Sequence, residues 1–152
     1  MNNRIRALGA GWKGARPMDF YDLDMENWRT LDINVDSLWL IGERDKSGRH
    51  ENVYHGNFIP QIPSQLIRRY TKENETVLDA FAGSGTTLFE CEDLNRKFIG
   101  FDINTEIVDY VKSKMAIDKN RFFIGSCDVA DSGTFENCIN LAFHNLGVER
   151  VQ

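Results

Sequence analysis

The chain has 152 residues, of which 41% are hydrophobic and 27% charged, and its formal net charge is −5. This length supports one domain with one continuous core, and this composition excludes wholesale disorder. No apolar run reaches membrane-spanning length and no signal-peptide pattern opens the sequence, so we expect a cytoplasmic protein that has no membrane partner. The acidic balance gives no support for nucleic-acid binding by the chain as a whole.

Residues 1–36 are interpreted as an N-terminal arm followed by an irregular segment. The first 16 residues include four basic side chains, no acidic one and one tryptophan, Trp12. Such an arm suits contact with a phosphate backbone, and it equally suits a solvated chain terminus. A cofactor-binding domain is expected over residues 37–152, opening with a predicted strand at Ser37–Gly42. A helix follows, with Pro63 at its first position and with Leu66, Ile67 and Tyr70 on its apolar side.

Strand and helix periodicities alternate from residue 76 onward. The predicted strands are Thr76–Phe81, Lys97–Asp102 and Arg121–Ile124. The predicted helices are Thr86–Leu94, a helix capped by Asn104, and a helix capped by Thr134 and ended by Gly147. This order predicts an α/β fold with a partial, doubly wound parallel sheet of the Rossmann-like kind.

The turn after the first of these strands has the features of a nucleotide-binding loop. Gly83 and Gly85 permit close approach of a ligand to the backbone, and the helix that follows presents unpaired N–H groups. Asp102 ends the second strand about 20 positions further on, where an acid accepts hydrogen bonds from ribose hydroxyls. Together these features predict a cofactor that contains a nucleoside.

The details of the loop discriminate among nucleoside cofactors. A dinucleotide fingerprint needs a third glycine where this chain has Leu88, and the sequence contains no P-loop string. Asp79, directly before the loop, would repel a pyrophosphate and suits a positively charged group. S-adenosylmethionine has a ribose, an adenine, an ammonium and a sulfonium but no phosphate, so it is the expected cofactor. No metal ligand set is expected.

The loop Asp79-Ala-Phe-Ala-Gly-Ser-Gly-Thr-Thr87 resembles the cofactor loop of DNA amino-methyltransferases, which methylate adenine N6 or cytosine N4. It departs from the usual family pattern at Ala80, where a proline is common. The preceding segment, His55–Pro63 continuing into Gln65–Ile67, resembles the family's other cofactor motif. The likeness implies that Phe58, Pro60, Gln61 and Pro63 form the pocket for the methionine end of the cofactor.

The same resemblance assigns the nucleoside end. It places Asp102 on the ribose, Ile103 against the adenine and Asp128 on the adenine amine, with Ser126 as an alternative for the last role. The complete expected cofactor set is Phe58, Pro60, Gln61, Pro63, Asp79, Ala80, Phe81, Gly83, Ser84, Gly85, Thr86, Thr87, Asp102, Ile103 and Asp128.

One family element is missing from the sequence. Amino-methyltransferases use a D/N/S-P-P-Y/F tetrad, whose polar groups accept the hydrogens of the amine and whose aromatic ring stacks on the flipped base. The three prolines here, Pro17, Pro60 and Pro63, include no adjacent pair. We therefore expect no catalytic residue in this chain, which ends before the strand that would carry the tetrad.

A second polypeptide, or a C-terminal continuation of this one, is expected to bring the tetrad and target recognition. The completed enzyme would then bind DNA. The open sheet edge after the third strand would also permit self-association. An RNA amino-methyltransferase and a non-catalytic cofactor-binding or scaffold subunit remain alternatives, whereas Leu88 disfavours an NAD-linked oxidoreductase. The target sequence and the methylated base stay open.

Overall fold

The structure, a computed structural model, describes residues 32–46, 49–50, 56–115 and 120–148. Its elements in chain order are α1 (Gln61–Tyr70), β1 (Thr76–Asp79), α2 (Thr86–Asp93), β2 (Lys97–Asp102), α3 (Thr105–Lys114), β3 (Phe122–Ser126) and α4 (Ser132–Leu146). The strands form one parallel sheet in the order β1-β2-β3. The predicted α/β fold with a parallel sheet is confirmed. The basic arm and His55 lie outside the described residues.

Each face of the sheet is covered by its own apolar cluster, because successive residues of a strand point to opposite faces. Phe98 of β2 points to the face that carries α1, α2 and α3, where its partners include Leu88 and Val111. Ile99, the next residue, points to the face that carries α4 and packs with Leu146. Helices on both faces make the sheet doubly wound, as predicted.

The strand predicted at Ser37–Gly42 is wrong. That segment has no regular structure, and the side chains of Leu38 and Leu40 are 71% and 88% exposed. A strand needs backbone partners. In this part of the chain, backbone hydrogen bonds are instead formed with two glutamine side chains of α1.

These glutamines, Gln61 and Gln65, stand one helical turn apart. The amide of Gln61 donates to the carbonyl of Glu43 at 2.8 Å and accepts from the N–H of Asp45 at 3.2 Å. The amide of Gln65 donates to the carbonyl of Asp32 at 3.1 Å and accepts from the N–H of Asn34 at 2.6 Å. The two side chains therefore attach residues 32–45 to α1.

The first helix starts earlier than the sequence predicts. Pro60 is its N-cap residue, so Pro63 occupies the third helical position, where a missing N–H still costs no helical bond. Of the three residues predicted to face inward, Ile67 is buried, while Leu66 and Tyr70 are 43% and 68% exposed. The buried side of α1 is formed by Pro63 and Ile67.

The other boundaries agree with prediction or shift by a few residues. β2 matches residue for residue, and Asn104 caps α3 by accepting hydrogen bonds from Glu106 N and Ile107 N. Gly147 ends α4 in the left-handed conformation. The cap of α4 is Asp131 rather than Thr134, because its carboxylate accepts from Thr134 N at 2.7 Å. Hydrogen bonds from the side chain and then from the backbone N–H of Thr134 hold the pKa of Asp131 below its ordinary value.

Both outer strands of the described sheet have an open edge. Leu78 of β1 lies beside Ile99 of β2, on the face that carries α4, yet it is 51% exposed. α4 packs against β3 and leaves this part of the face uncovered. Of the helices in the described ranges, none is long and apolar enough to cross a membrane.

Candidate functional site

Asp102 is the centre of the candidate site. It is the last residue of β2 and is 7% exposed. Its Oδ2 accepts a hydrogen bond from Gly83 N at 2.9 Å, and its Oδ1 accepts one from Asn104 N at 2.9 Å. One carboxylate thus fixes the loop that follows β1 against the start of α3, at the carboxyl ends of two adjacent parallel strands. This edge is where open α/β sheets bind their ligands.

Asp79 holds the other end of the same loop. Its Oδ1 accepts from Phe81 N at 3.0 Å, and its Oδ2 accepts from the hydroxyl of Thr87 at 2.6 Å. The second bond links the end of β1 to the first turn of α2. The carboxylate consequently places a negative charge at the mouth of the loop, in a fixed position.

The two glycines of the loop adopt the backbone conformation for which they are suited. Gly83 has φ 49° and Gly85 has φ 84°, both in the left-handed region that side chains disfavour. Gly85 is the N-cap residue of α2, and no side chain caps this helix. The first N–H groups of α2 therefore receive no hydrogen bond from a side chain of the N-cap residue.

A cleft of about 470 Å³ opens beside Asp102. Its walls come from the loop after β1, the turn after β2, the turn after β3 and the segment before α1. Its lining residues are Gly56, Phe58, Ala80, Phe81, Asp102, Ile103, Cys127, Asp128, Val129 and Ala130. Three aromatic or aliphatic side chains on this wall, Phe58, Phe81 and Ile103, are 59%, 77% and 69% exposed. Exposed apolar groups around buried polar ones are typical of a ligand site.

A smaller recess of about 50 Å³ adjoins the cleft and shares Gly56, Phe58 and Phe81 with it. Its other lining residues are Asn57, Asp79, Ala82, Gly83, Thr86 and Thr87. Arg44 holds this side of the site, because its Nη1 donates to the carbonyl of Phe58 at 3.0 Å. The cleft and the recess together form one continuous site along the loop.

Most of the predicted site residues come together here. Ser84 in the loop and Thr86 at the start of α2 are buried. Asp128 lines the cleft, and its Oδ1 accepts from Ala130 N at 3.0 Å. Ser126, the alternative position, instead places its hydroxyl 3.2 Å from that of Thr105 at the start of α3.

Three predicted residues lie elsewhere. Pro60 and Gln61 border a separate polar groove next to the segment before α1, and the amide of Gln61 is occupied by backbone groups there. Pro63 lies on the buried side of α1. Phe58 therefore lies at the site, whereas these three residues lie outside it and form the start of α1.

The sequence did not single out Asn57, Cys127 or Val129, although all three line the site. Asn57 directly precedes Phe58, and the other two flank Asp128. Their adjacency to predicted residues is the signal that could have found them. Burial, followed by hydrogen bonding with Cys138, raises the pKa of Cys127 to about 12, so this part of the wall carries a neutral thiol.

Cys127 is expected to resist alkylation in the folded chain at about pH 8, because the thiolate is the reactive form. Cys91, whose burial raises its pKa to about 12, should resist as well. Iodoacetamide labelling followed by peptide mass spectrometry measures this, with the urea-unfolded chain as the control that labels fully. Labelling of Cys127 at the rate of a free cysteine in the folded chain would contradict this description of the wall.

A second polar cluster lies away from the cleft. His50, Glu90 and Asp93 offer potential metal-ligand atoms that all lie within 4.8 Å of one another. These groups already pair with protein atoms, since His50 Nε2 is 2.9 Å from Glu90 Oε1 and Arg49 Nη2 is 3.9 Å from Asp93 Oδ1. The arrangement holds residues 49–50 against α2, and we interpret it as structural.

Curated proteins are similar in sequence to part of this chain. A Type II methyltransferase of Haemophilus influenzae, M.HindIII, is 48% identical over 72 residues, which are 45% of this chain and 23% of that protein. The Type II methyltransferase M.HpaI of Haemophilus parainfluenzae is 41% identical over 89 residues, 59% of this chain and 28% of the relative. The chain thus spans only about a quarter of the length of these curated relatives.

Solved structures give weaker matches. The crystal structure of the M1.HpyAVI–SAM complex is 27% identical, with a TM-score of 0.42 over 54% of this chain and 42% of that chain. PvuII DNA methyltransferase, described as cytosine-N4-specific, is 24% identical, with a TM-score of 0.40 over 63% and 29% of the two chains.

The profile of the N6/N4 methylase family, described as DNA methylase, matches residues 12–113. This match covers most of the chain, including α1, the loop after β1 and Asp102, and it confirms the resemblance found in the sequence of the loop. The chain belongs to the DNA methylase family.

Proposed function

We propose that this chain binds S-adenosylmethionine in the cleft and is the cofactor-binding part of a DNA methyltransferase that acts on an exocyclic base amine. The observation that carries the proposal is the placement of Asp102. Its buried carboxylate is fixed by Gly83 N and Asn104 N at the edge of the cleft. An acid there is suited to ribose hydroxyls, and no phosphate-binding fingerprint accompanies it.

The shape and chemistry of the site support this cofactor. The larger cleft has apolar walls at Phe81 and Ile103 and carboxylates at Asp102 and Asp128, a combination that suits a ribose and an adenine with its amine. The smaller recess has Asp79, whose charge suits an ammonium group. When bound, S-adenosylmethionine supplies an electrophilic methyl group on its sulfonium. The role of this chain is then to hold and orient that group.

DNA is proposed as the substrate because the family to which the chain belongs is described as DNA methylase. The similar proteins M.HindIII and M.HpaI are named Type II methyltransferases. A cytoplasmic location stays a prediction.

The sheet suggests where the rest of the enzyme joins. α2 and α3 cover one face as the chain steps from β1 to β3, and α4 covers the other face. Crossovers between parallel strands are right-handed in about 98% of cases. Since right-handed connections over the α2 and α3 face carry the chain from β1 toward β3, a right-handed connection over the opposite α4 face runs from β3 toward β1. The next parallel strand would therefore pair with the open edge of β1. We propose that this strand carries the missing tetrad, whichever segment or chain supplies it.

Leu78 lies on the uncovered face of β1 and tests this placement. Leu78→Lys is expected to change the stability of the chain by less than about 0.5 kcal/mol, because the residue is half exposed already. It should weaken association with the tetrad-bearing polypeptide by at least about tenfold, since a lysine would be buried in the new interface. Analytical ultracentrifugation of the mixed polypeptides measures the effect.

Leu141→Lys is the matched control for Leu78→Lys. Leu141 is 55% exposed on α4, in a hollow beside the open edge of β3. Its substitution should leave the association unchanged. Loss of association on Leu141→Lys, with none on Leu78→Lys, would place the joint at β3 and contradict the proposal.

The function itself is tested by methyl transfer. The chain alone should incorporate no labelled methyl into DNA, and the chain combined with the tetrad-bearing polypeptide should incorporate it. Transfer by the chain alone would contradict the division of roles. Transfer to RNA but not to DNA would favour an RNA amino-methyltransferase.

A non-catalytic cofactor-binding subunit is the second candidate, favoured by the absence of any adjacent proline pair in the sequence. Cofactor binding without transfer, in the presence of every polypeptide that associates with the chain, would support that candidate.

A further inference from the structure

The outer edge of β3 presents backbone groups that β2 does not use. The C=O of Arg121 and the N–H of Cys127 both bond to β2, so the odd-numbered residues of this strand direct their backbone groups toward β2. The N–H and C=O groups of Phe122, Ile124 and Ser126 therefore point away from β2. In the three-stranded sheet of the described residues, no strand lies beyond them.

This edge lacks the features that usually keep sheet edges apart. β3 consists of two phenylalanines, an isoleucine, a glycine and a serine, without a charged residue or a proline. Its register with β2 runs without interruption over five residues, so the strand has no bulge. Charges, prolines and bulges are the means by which free edges avoid pairing. A strand without them is suited to pairing with another strand.

A hollow of about 720 Å³ runs beside the same edge, between the end of α3 and the middle of α4. All five residues of β3 line it, together with Met115 and Leu141. Leu141 is 55% exposed in this hollow. A second surface that pairs with β3 would also cover this apolar side chain.

We propose that β3 pairs antiparallel with β3 of a second copy of this chain, about a two-fold axis at Ile124. Ile124 then lies opposite its own counterpart, and Phe122 lies opposite Ser126 of the second copy. Each of these residues has its backbone groups on the outer edge, so every pair in this register is a hydrogen-bonded one. Because the axis is perpendicular to the sheet, α4 lies on the same face in both copies, and the two Leu141 side chains are buried between the two helices.

The charges at the two ends of β3 favour a second copy as the partner. Antiparallel pairing places Arg121 of one copy opposite Cys127 of the other, next to the exposed carboxylate of Asp128. Arg121 Nε and Nη2 are buried without a hydrogen-bond partner in the described part of the chain, so turning this side chain toward the edge breaks no hydrogen bond of these two nitrogens. The two-fold axis forms the ion pair twice.

The inference goes beyond the proposed function, because it assigns a partner to the edge that the tetrad-bearing strand leaves free. Sedimentation equilibrium of the full chain alone, over a micromolar concentration series, tests it. The unmodified chain should dimerise. Leu141→Lys should raise the dissociation constant of the dimer at least about tenfold, because each lysine would be buried against its counterpart. Arg121→Glu should also raise it, because the new charge faces Asp128 of the second copy.

Leu66→Lys is the matched control for Leu141→Lys. Leu66 is 43% exposed on α1, which packs against α2. Its substitution should leave the dissociation constant unchanged. A chain that stays monomeric throughout the series overturns the proposal, and so does a dimer that Leu141→Lys weakens no more than Leu66→Lys does.

Amide hydrogen exchange, followed by NMR, tests the register. The N–H groups of Ile124 and Ser126 should exchange at least about tenfold more slowly in the dimer than in monomeric Leu141→Lys, because only the second copy supplies their acceptors. The N–H groups of Phe123 and Gly125, which face β2, should be protected in both. Protection of Ile124 that does not change with association overturns the strand pairing. Cofactor binding by Leu141→Lys should equal that of the unmodified chain, so failure of this inference leaves the proposed function standing.

Discussion

Asp102→Ala is expected to reduce S-adenosylmethionine affinity at least about 100-fold, equivalent to about 2.7 kcal/mol. The carboxylate accepts from Gly83 N and Asn104 N, each at 2.9 Å, in a position that is 7% exposed. Removing it leaves Gly83 N without a partner in a buried loop and removes the acceptor proposed for the ribose. Isothermal titration calorimetry of the variant measures the loss.

The same substitution should lower the free energy of unfolding by about 2–4 kcal/mol. The buried hydrogen bond from Gly83 N to the charged carboxylate contributes about 1.5–3 kcal/mol, and the partly buried one from Asn104 N contributes less, about 0.5–1.5 kcal/mol, because water can replace it. Asp109→Ala is the matched control. Asp109 is exposed on α3 and forms only a surface ion pair with Lys112, with 3.9 Å between Oδ1 and Nζ, so its loss should cost less than about 0.5 kcal/mol. If the affinity of Asp102→Ala for S-adenosylmethionine is within threefold of that of the unmodified chain, Asp102 does not hold the cofactor.

Gly85→Ala is expected to destabilise the chain by about 2–5 kcal/mol. Part of this cost is the left-handed conformation at φ 84°, which disfavours a side chain by about 1–2 kcal/mol. The larger part is steric, because a Cβ at this position would lie 2.9 Å from Val111 Cγ1 and 3.3 Å from Val111 Cγ2. Val111 is fully buried in the core between α3 and the sheet, so overpacking there costs about 1–3 kcal/mol.

Gly147→Ala separates the two causes. Gly147 has φ 59°, and a Cβ there would meet nothing within 4 Å. It should therefore cost only the conformational term, about 1–2 kcal/mol. Urea unfolding followed by far-UV circular dichroism compares the two variants. Equal losses at the two positions would show that contact with Val111 adds nothing.

A double-mutant cycle with Val111→Ala tests the contact directly. The two substitutions should be coupled by about 1 kcal/mol or more, because the smaller side chain makes room for the new Cβ. Additive effects would contradict the packing seen between the loop and α3.

The core of the fold could be predicted because it is encoded locally. Three features depend on short sequence patterns. An apolar run predicts β2, and a side chain that accepts hydrogen bonds from the first helical turn predicts the cap at Asn104. A residue that tolerates positive φ predicts the end of α4 at Gly147. Asp102 was predicted for the same reason, since its place at the end of a buried strand fixes where its carboxylate points. The cap of α4 was predicted wrongly because two good capping residues, Asp131 and Thr134, lie three positions apart.

Features that depend on distant partners were missed. Ser37–Gly42 is apolar enough for a strand, but no strand pairs with it in the described part of the chain, where neighbouring backbone bonds go to Gln61 and Gln65. Those two glutamines could not be recognised as backbone partners from sequence, because the backbone groups that they bind lie 16 to 33 residues away.

The central claim is that this cleft binds S-adenosylmethionine through Asp102. The most direct measurement is calorimetric titration of the chain with S-adenosylmethionine and, separately, with NAD. We predict saturable binding of one S-adenosylmethionine per chain, lost in Asp102→Ala, and no response to NAD. Saturable binding of NAD without any response to S-adenosylmethionine would contradict the account.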